Sequence, residues 1–502
     1  MSNSYRNLPR DSNQALGIGQ YAIDFLAGGG QPSDAVLAKT EQFHLDSIAC
    51  AVAALRIGAS APTILRDEAL EYSLPDGETP GTTCFGSRLT VRPEKAVLAN
   101  CAAVRELDAN GTNFGFNPIT GDCCGEFGHN DFYPVAIAAA QQRGCDGRQA
   151  LLAMVCLDEI RGRLAEVFAL KQHKIDHVLH GAIASAAVYG AMMGAAAEQI
   201  EAAIGMLVAH YVPFRAILHG HQLSDSKGAS AAISAEMAVT CVHRAMRGFI
   251  GPMDIFRNPQ AVFCLFQPPE RNDVSPFDLR LELTGDDFAV MGMHFKLGMY
   301  EHQSAGAIQG LLDVLAAQPR LLQQSNGIES INIEIYEPAF SIIGDPHKGD
   351  PRTRQSADRS MAYMIATLLR KAIETGLSGW RELMLLPEDY DEDALFHPLT
   401  RQLMQRINFR HGGAEFDAKY PDGIPTSLEI THADLGKCAS GLIMYPQGHA
   451  RGDGSELDEL LGEKFNRFAS LGETDPQALR RRIFPLGEKS AIEVAKIYSH
   501  IK

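Results

Sequence analysis

The chain is expected to be mainly α: a large all-helical domain carrying a smaller α+β lid domain. Three observations predict this. From position 15 to about 251, apolar residues recur at helical spacing between Gly, Pro and Asp punctuation, and alternating strand patterns are scarce. After Pro252 the period changes, with Glu329-Ser-Ile-Asn-Ile-Glu-Ile-Tyr336 and Pro425-Thr-Ser-Leu-Glu-Ile-Thr431 alternating at period two and Ser440-Gly-Leu-Ile-Met-Tyr445 rich in strand formers. Helical spacing then returns over 457–471 and 488–501, so the end of the chain is expected to rejoin the first bundle.

In chain order, helices are expected over 32–57, 93–108, 131–142, 148–170 and 199–211. The run 177–197, rich in Ala, Gly and Ser with no polar face, is expected inside the bundle. Helices over 303–317 and 358–373 should accompany the strands of the second region. The division is therefore 1–275 with 450–502 for the helical domain, and 276–449 for the lid.

With 502 residues, 45% hydrophobic and 21% charged, the chain has enough apolar material for two or more domains. A formal charge of -16 argues against a nucleic-acid partner, which rewards clustered Lys and Arg. The polar first ten residues and the absence of a bilayer-length uncharged run predict no membrane segment and a cytoplasmic protein. Ten cysteines without a Cys-x-x-Cys spacing fit a reducing compartment rather than a cysteine-ligated metal or cluster. Neither a Walker loop nor a Gly-x-Ser-x-Gly elbow occurs, so no nucleotide cofactor is expected.

Ionisable residues stand at three helix mouths. Gly125-Glu-Phe-Gly-His-Asn-Asp-Phe-Tyr-Pro134 sets His129 just before a helix, with Asp131 as its expected N-cap and Pro134 in its first turn. Lys174-Ile-Asp-His-Val-Leu-His-Gly181 runs His177 into a buried helix, where Asp176 or Asp108 would orient it. Lys227 precedes another helix of small residues and opposes its dipole unless an anion sits there. A lysine that snorkels to water, a solvated loop histidine and a satisfied core histidine are the structural alternatives. A fourth stretch, Met293-His-Phe-Lys-Leu-Gly-Met-Tyr-Glu-His302, would bring Lys296, Tyr300 and His302 across a cleft from those mouths. His219 and His221 form a His-x-His pair without an evident third ligand, so no metal site is expected. The economical reading is an enzyme pocket for anions.

These motifs resemble those of the MmgE/PrpD family. Arg105-Glu-Leu-Asp108, the Gly128-His-Asn-Asp131 turn, Ile175-Asp-His-Val178, Leu223-Ser-x-x-Lys-Gly228, Gly251-Pro252, Ala357-Asp-Arg-Ser360 and Tyr445-Pro-Gln-Gly-His449 follow the family's order over almost the whole chain. The resemblance implies the helical domain and lid, a homodimer, and a catalytic set of Asp108, His129, His177 and Lys227, with Lys296, Tyr300 and His302 binding substrate. It implies no cofactor and no metal. The activity implied is dehydration of 2-methylcitrate or a related tricarboxylate. Decarboxylation of cis-aconitate, isomerisation or epimerisation of a dicarboxylate, and noncatalytic binding remain open beside it. The chain differs from the dehydratase pattern at Ala109, Gly111 and Ser226, and at Asn130 to Phe132 in the histidine turn.

Overall fold

Residues 4–75, 81–218, 222–271, 273–472 and 475–499 are described by the computed structural model. The helical body comprises α1 (Gln14–Asp24), α2 (Asp34–Arg56), α3 (Ser60–Glu71), α4 (Pro93–Arg105), α5 (Tyr133–Arg143), α6 (Gly147–Val167), α7 (Val178–Met193), α8 (Ala197–His210) and α9 (Ser226–Met246). Helix α7 is the hub, packed against α1, α5, α6, α8 and α9. Every residue from Val178 to Gly190 is buried, as its lack of a polar face predicts. Small side chains permit that crowding: a Cβ on Gly181 would strike the ring of Phe132.

The second region contains α10 (Ala305–Ala317), β1 (Ile328–Ile335), α11 (Met361–Thr375), β2 (Ile407–His411), β3 (Thr426–His432) and β4 (Gly436–Ile443). The sheet runs β2-β1-β3-β4, with β2 parallel to β1 and the other pairs antiparallel. Ile331, Ile333 and Ile335 of β1 and Leu428 and Ile430 of β3 turn inward, and α10 lies over β3 and β4. This is the period-two signature read from the sequence. Strand β2 escaped that reading because it is an edge strand with no buried residue.

Two expectations need correction. Residues 276–292 do not start the lid: Leu279–Glu282 pairs with Tyr5–Leu8, and Thr284–Gly285 with Gln31–Pro32. The backbone N–H groups of Glu282 and Ala289 donate to Glu159 of α6 at 2.8 and 2.7 Å, which ties this segment to the helical body. The expected helix over 488–501 is reduced to Ala491–Val494. The chain then turns, so that Tyr498 packs 4.1 Å from the ring of Phe85. The return itself is carried by α12 (Leu457–Ser470), which packs on α2. Among the described residues no single helix is long and apolar enough to cross a membrane, although the bent pair α2 and α3 has that composition when taken together.

Candidate active site

Asp108 follows the C-terminus of α4 at φ +49°, a left-handed conformation that an aspartate tolerates better than most residues. Strain of this kind persists where surroundings over-determine it, and four cations do so here. Arg105 donates to Oδ1 at 2.8 Å, Lys296 donates to the same oxygen, and Arg359 and Lys227 stand 3.0 and 3.5 Å from Oδ2. Burial alone would raise this carboxyl, yet Arg105, Lys296, Arg359 and Lys227 hold it well below the usual carboxylate range. Asp108 therefore anchors cations and bonds to no imidazole, contrary to one orienting role expected for it.

Lys227 lies in the first turn of α9, and the anion its position demanded is Asp358, 2.9 Å from Nζ. Burial lowers its pKa, against the pull of Asp358. Gly228 admits the neighbouring Glu106, whose carboxylate a Cβ there would strike. Lys296 is fully buried and lowered to about 8, by desolvation first, with Asp108 opposing.

His129 sits on the short strand Gly128–His129, paired with Thr112–Asn113. Its Nε2 lies 3.3 Å from Arg105 Nη2. A guanidinium can only donate, so Nε2 accepts and the proton resides on Nδ1, which has no hydrogen-bond partner among the described residues. Burial, followed by Arg105, Lys296 and His177, holds this imidazole well below 6.5 and neutral. Asp131, expected as the cap of α5, makes no capping bond. Its carboxylate stands 3.4 Å from Arg105 Nε instead, because that buried cation needs it more.

His177, at the mouth of α7, packs its ring 5.0 Å from that of His129 at 65°. Its Nδ1 is 3.1 Å from Asp176 Oδ1, but neither ring nitrogen has a hydrogen-bond partner among the described residues. Desolvation lowers this histidine to about 3, with Asp176 opposing. His180, read as structural, bonds the carbonyl of Phe168 at 3.0 Å.

These groups line one narrow cleft with a cavity volume of about 30 Å³, well below the roughly 300–1,000 Å³ typical of small-molecule sites. His129, His177, Lys227, Arg105, Arg215 and Arg359 line it together with Glu301, Gln303, Asp176 and Thr112. Of the lid stretch expected there, Glu301 and Gln303 reach the cleft wall, while Tyr300 and His302 are buried behind it, His302 against the cleft residue Phe114, and Lys296 acts through Asp108. Tyr300 accepts from the N–H of Leu297 at 2.8 Å. His302 is stacked with His294 at 5.0 Å and 2°, neither ring nitrogen bonded. His219 and His221 lie outside the described residues. Among those described, no group of three potential ligands is placed to hold a metal ion.

Sequence reasoning missed Arg215, Arg359 and Asp358. Arg215 is half-buried in the cleft and, among the described residues, has no carboxylate within 4 Å; its backbone is fixed by donation from N to Lys174 O at 2.8 Å. Arg359 and Asp358 arrive from the lid, some 130 residues after Lys227. Only the Ala357-Asp-Arg-Ser360 motif signalled them.

A buried, cation-rich cleft with two imidazoles and a lysine of lowered pKa is the kind of place where an enzyme would handle an anionic substrate. The chain belongs to the MmgE/PrpD family: the family's N-terminal domain matches residues 29–273 and its C-terminal domain residues 301–484. It is 23% identical over 447 residues to 2-methylcitrate dehydratase of Escherichia coli K12, covering 88% of this chain and 86% of that one. It is 25% identical over 407 residues to the mitochondrial 2-methylcitrate dehydratase of Yarrowia lipolytica, covering 77% and 72%. A probable 2-methylcitrate dehydratase of Saccharomyces cerevisiae is 24% identical over 84% of this chain and 80% of its own length.

Proposed function

We propose that the chain is a lyase that dehydrates 2-methylcitrate, or a closely related tricarboxylate, by general acid–base β-elimination without a cofactor. The observation that carries this reading is the buried imidazole of His177, whose two ring nitrogens have no hydrogen-bond partner among the described residues, in a cleft ringed by cations. Elimination requires a base for the C–H beside a carboxylate, an acid for the leaving hydroxyl, and stabilisation of the charge that builds on the carboxylate. His177 suits the first task. Its low pKa belongs to the unliganded cleft; a bound polycarboxylate adds negative charge beside the ring and raises it toward the working range. Lys227 suits the second, because an ammonium of lowered pKa releases its proton readily and Asp358 holds it in place. Arg215, Arg359 and the Nδ1–H of neutral His129 suit the third, as fixed donors in a site shielded from water.

Arg215 supports a polycarboxylate in particular, since it lines the cleft with no carboxylate within 4 Å among the described residues. A homodimer is part of the same proposal. Exposed Phe214 and Leu265, each 57% accessible, border an apolar groove on the outer side of the segment bearing Arg215. Sedimentation at micromolar concentration should give twice the chain mass.

The decisive assay incubates chelator-treated protein with 2-methylcitrate and follows alkene absorbance and new carbon signals by NMR. Alkene is the expected product. Itaconate and carbon dioxide from cis-aconitate, with no alkene from 2-methylcitrate, would move the chemistry to decarboxylation.

A further inference from the structure

A second cleft, with a cavity volume of about 200 Å³, lies between α2, α12 and the segment carrying Arg480 and Phe484. Its apolar walls are Leu45, Leu461, Phe465 and Phe484, and at its floor is Asp46, buried to 6% exposure. We infer that this cleft is a binding site for a small apolar molecule bearing an ammonium or similar donor group, independent of the reaction proposed above.

The floor supplies the polar half of the argument. Lys464 Nζ lies 2.6 Å from Asp46 Oδ1 and donates to the carbonyls of Ala109 and Lys296 at 2.6 and 2.8 Å. Those three partners use all the protons an ammonium has. Asp46 Oδ2 is left buried with no hydrogen-bond partner among the described residues. A buried, unpartnered carboxylate oxygen on a residue that lines an apolar cleft calls for a donor. Asp458, bonded to Gln42 at 3.0 Å, adds a second carboxylate at the mouth, while Arg480 stands over the ring of Phe484. Lys464 and Arg480 balance the two carboxylates, so discrimination against anions comes from the unpartnered Asp46 Oδ2 rather than from net charge.

Gly462 supplies the other half. It stands in the middle of α12, where glycine is a poorer helix former than alanine. Neither a left-handed backbone nor a close neighbour requires it: a Cβ there would meet nothing within 4 Å. What the missing side chain does is leave the cleft open.

The test uses full-length protein, with 2-phenylethylamine as probe and 3-phenylpropanoate as its anionic counterpart. Calorimetry should give saturable one-site binding of the amine that citrate does not displace, and at least tenfold weaker binding of the anion outside the catalytic cleft. Gly462→Leu fills the space and should weaken amine binding at least tenfold. Should that variant fold poorly, methyl-labelled wild type still decides, because amine-induced shifts are expected at the Leu45 and Leu461 methyls. Absence of saturable amine binding, unchanged affinity in folded Gly462→Leu, or shifts confined to other methyls would each overturn the inference.

Discussion

Two buried ion clusters, about Asp108 and about Arg163, use the same residue types to opposite ends. Around Arg163 the charges close on themselves. Its guanidinium meets Glu159 at 2.9 Å and Glu166 at 3.0 Å and reaches Asp287, and Glu159 spends its remaining capacity on two backbone N–H groups. Around Asp108 the charges do not close. Five cations, Arg105, Lys227, Lys296, Arg354 and Arg359, share four carboxylates, Glu106, Asp108, Asp131 and Asp358, and His129 Nδ1, both nitrogens of His177 and Arg359 Nε have no hydrogen-bond partner among the described residues. A satisfied network holds helices together, whereas an unsatisfied one waits for a ligand.

Removing one group from each cluster should separate the two most widely. His177→Ala is expected to lower turnover on 2-methylcitrate by about 10²- to 10⁴-fold, with a melting temperature equal to or above that of the wild type, since functional sites are commonly destabilising. A lowered melting temperature with normal turnover of the folded protein would make the Asp108 cluster structural after all. Arg163→Met should do the reverse. It strands Glu159 and Glu166 and should cost about 3–5 kcal/mol in a urea titration, while turnover per folded molecule stays within about twofold.

A smaller effect tests the spare charge. Arg215→Gln should raise KM for the tricarboxylate about 10- to 100-fold, as expected for losing a charge-assisted hydrogen bond of about 1.5–3 kcal/mol, with kcat changed less. Loss confined to kcat would transfer Arg215 from binding to chemistry.

The sequence made the first cluster legible where function sits beside local structure. His129, His177 and Lys227 line one cleft, and the sequence singled them out because each stands at a helix mouth, a place that residue spacing reveals. Lys227 in particular declared a missing anion by opposing its own helix dipole. The identity of that anion was not legible, because Asp358 comes from the lid and depends on tertiary docking. Arg215 gave no signal for a related reason: it lies in a short 3₁₀ turn, Arg215–Leu218, held by a backbone bond to Lys174. Asp131 misled because a good capping residue was claimed by a buried arginine. Tyr300 and His302 misled because proximity in sequence does not tell which side of the chain faces the cleft. The helices were legible throughout from their period, while residues 279–285 were not, since strands this short carry no period to read.

Acid should divide the clusters most finely. Burial holds His177 and His302 at about 3, below the ordinary 6.5. Between those values the unfolded chain binds more protons than the folded one. Stability therefore falls as pH drops from about 6.5 toward 3, by about 1.4 kcal/mol per pH unit for each imidazole fully engaged. Glu166 runs the other way: burial pushes it up to about 7 in spite of Arg163. Between about pH 7 and its unfolded value near 4.5 the folded chain binds the extra proton, so acidification there favours folding. The urea midpoint is thus expected to decline gently from pH 6.5 to 4.5, where the terms oppose, and steeply below. His177→Gln should flatten the decline, most visibly below pH 4.5, and Glu166→Gln should steepen the upper limb. If neither variant changes its slope, these two groups do not control acid stability, and the closed and open clusters differ in catalysis alone.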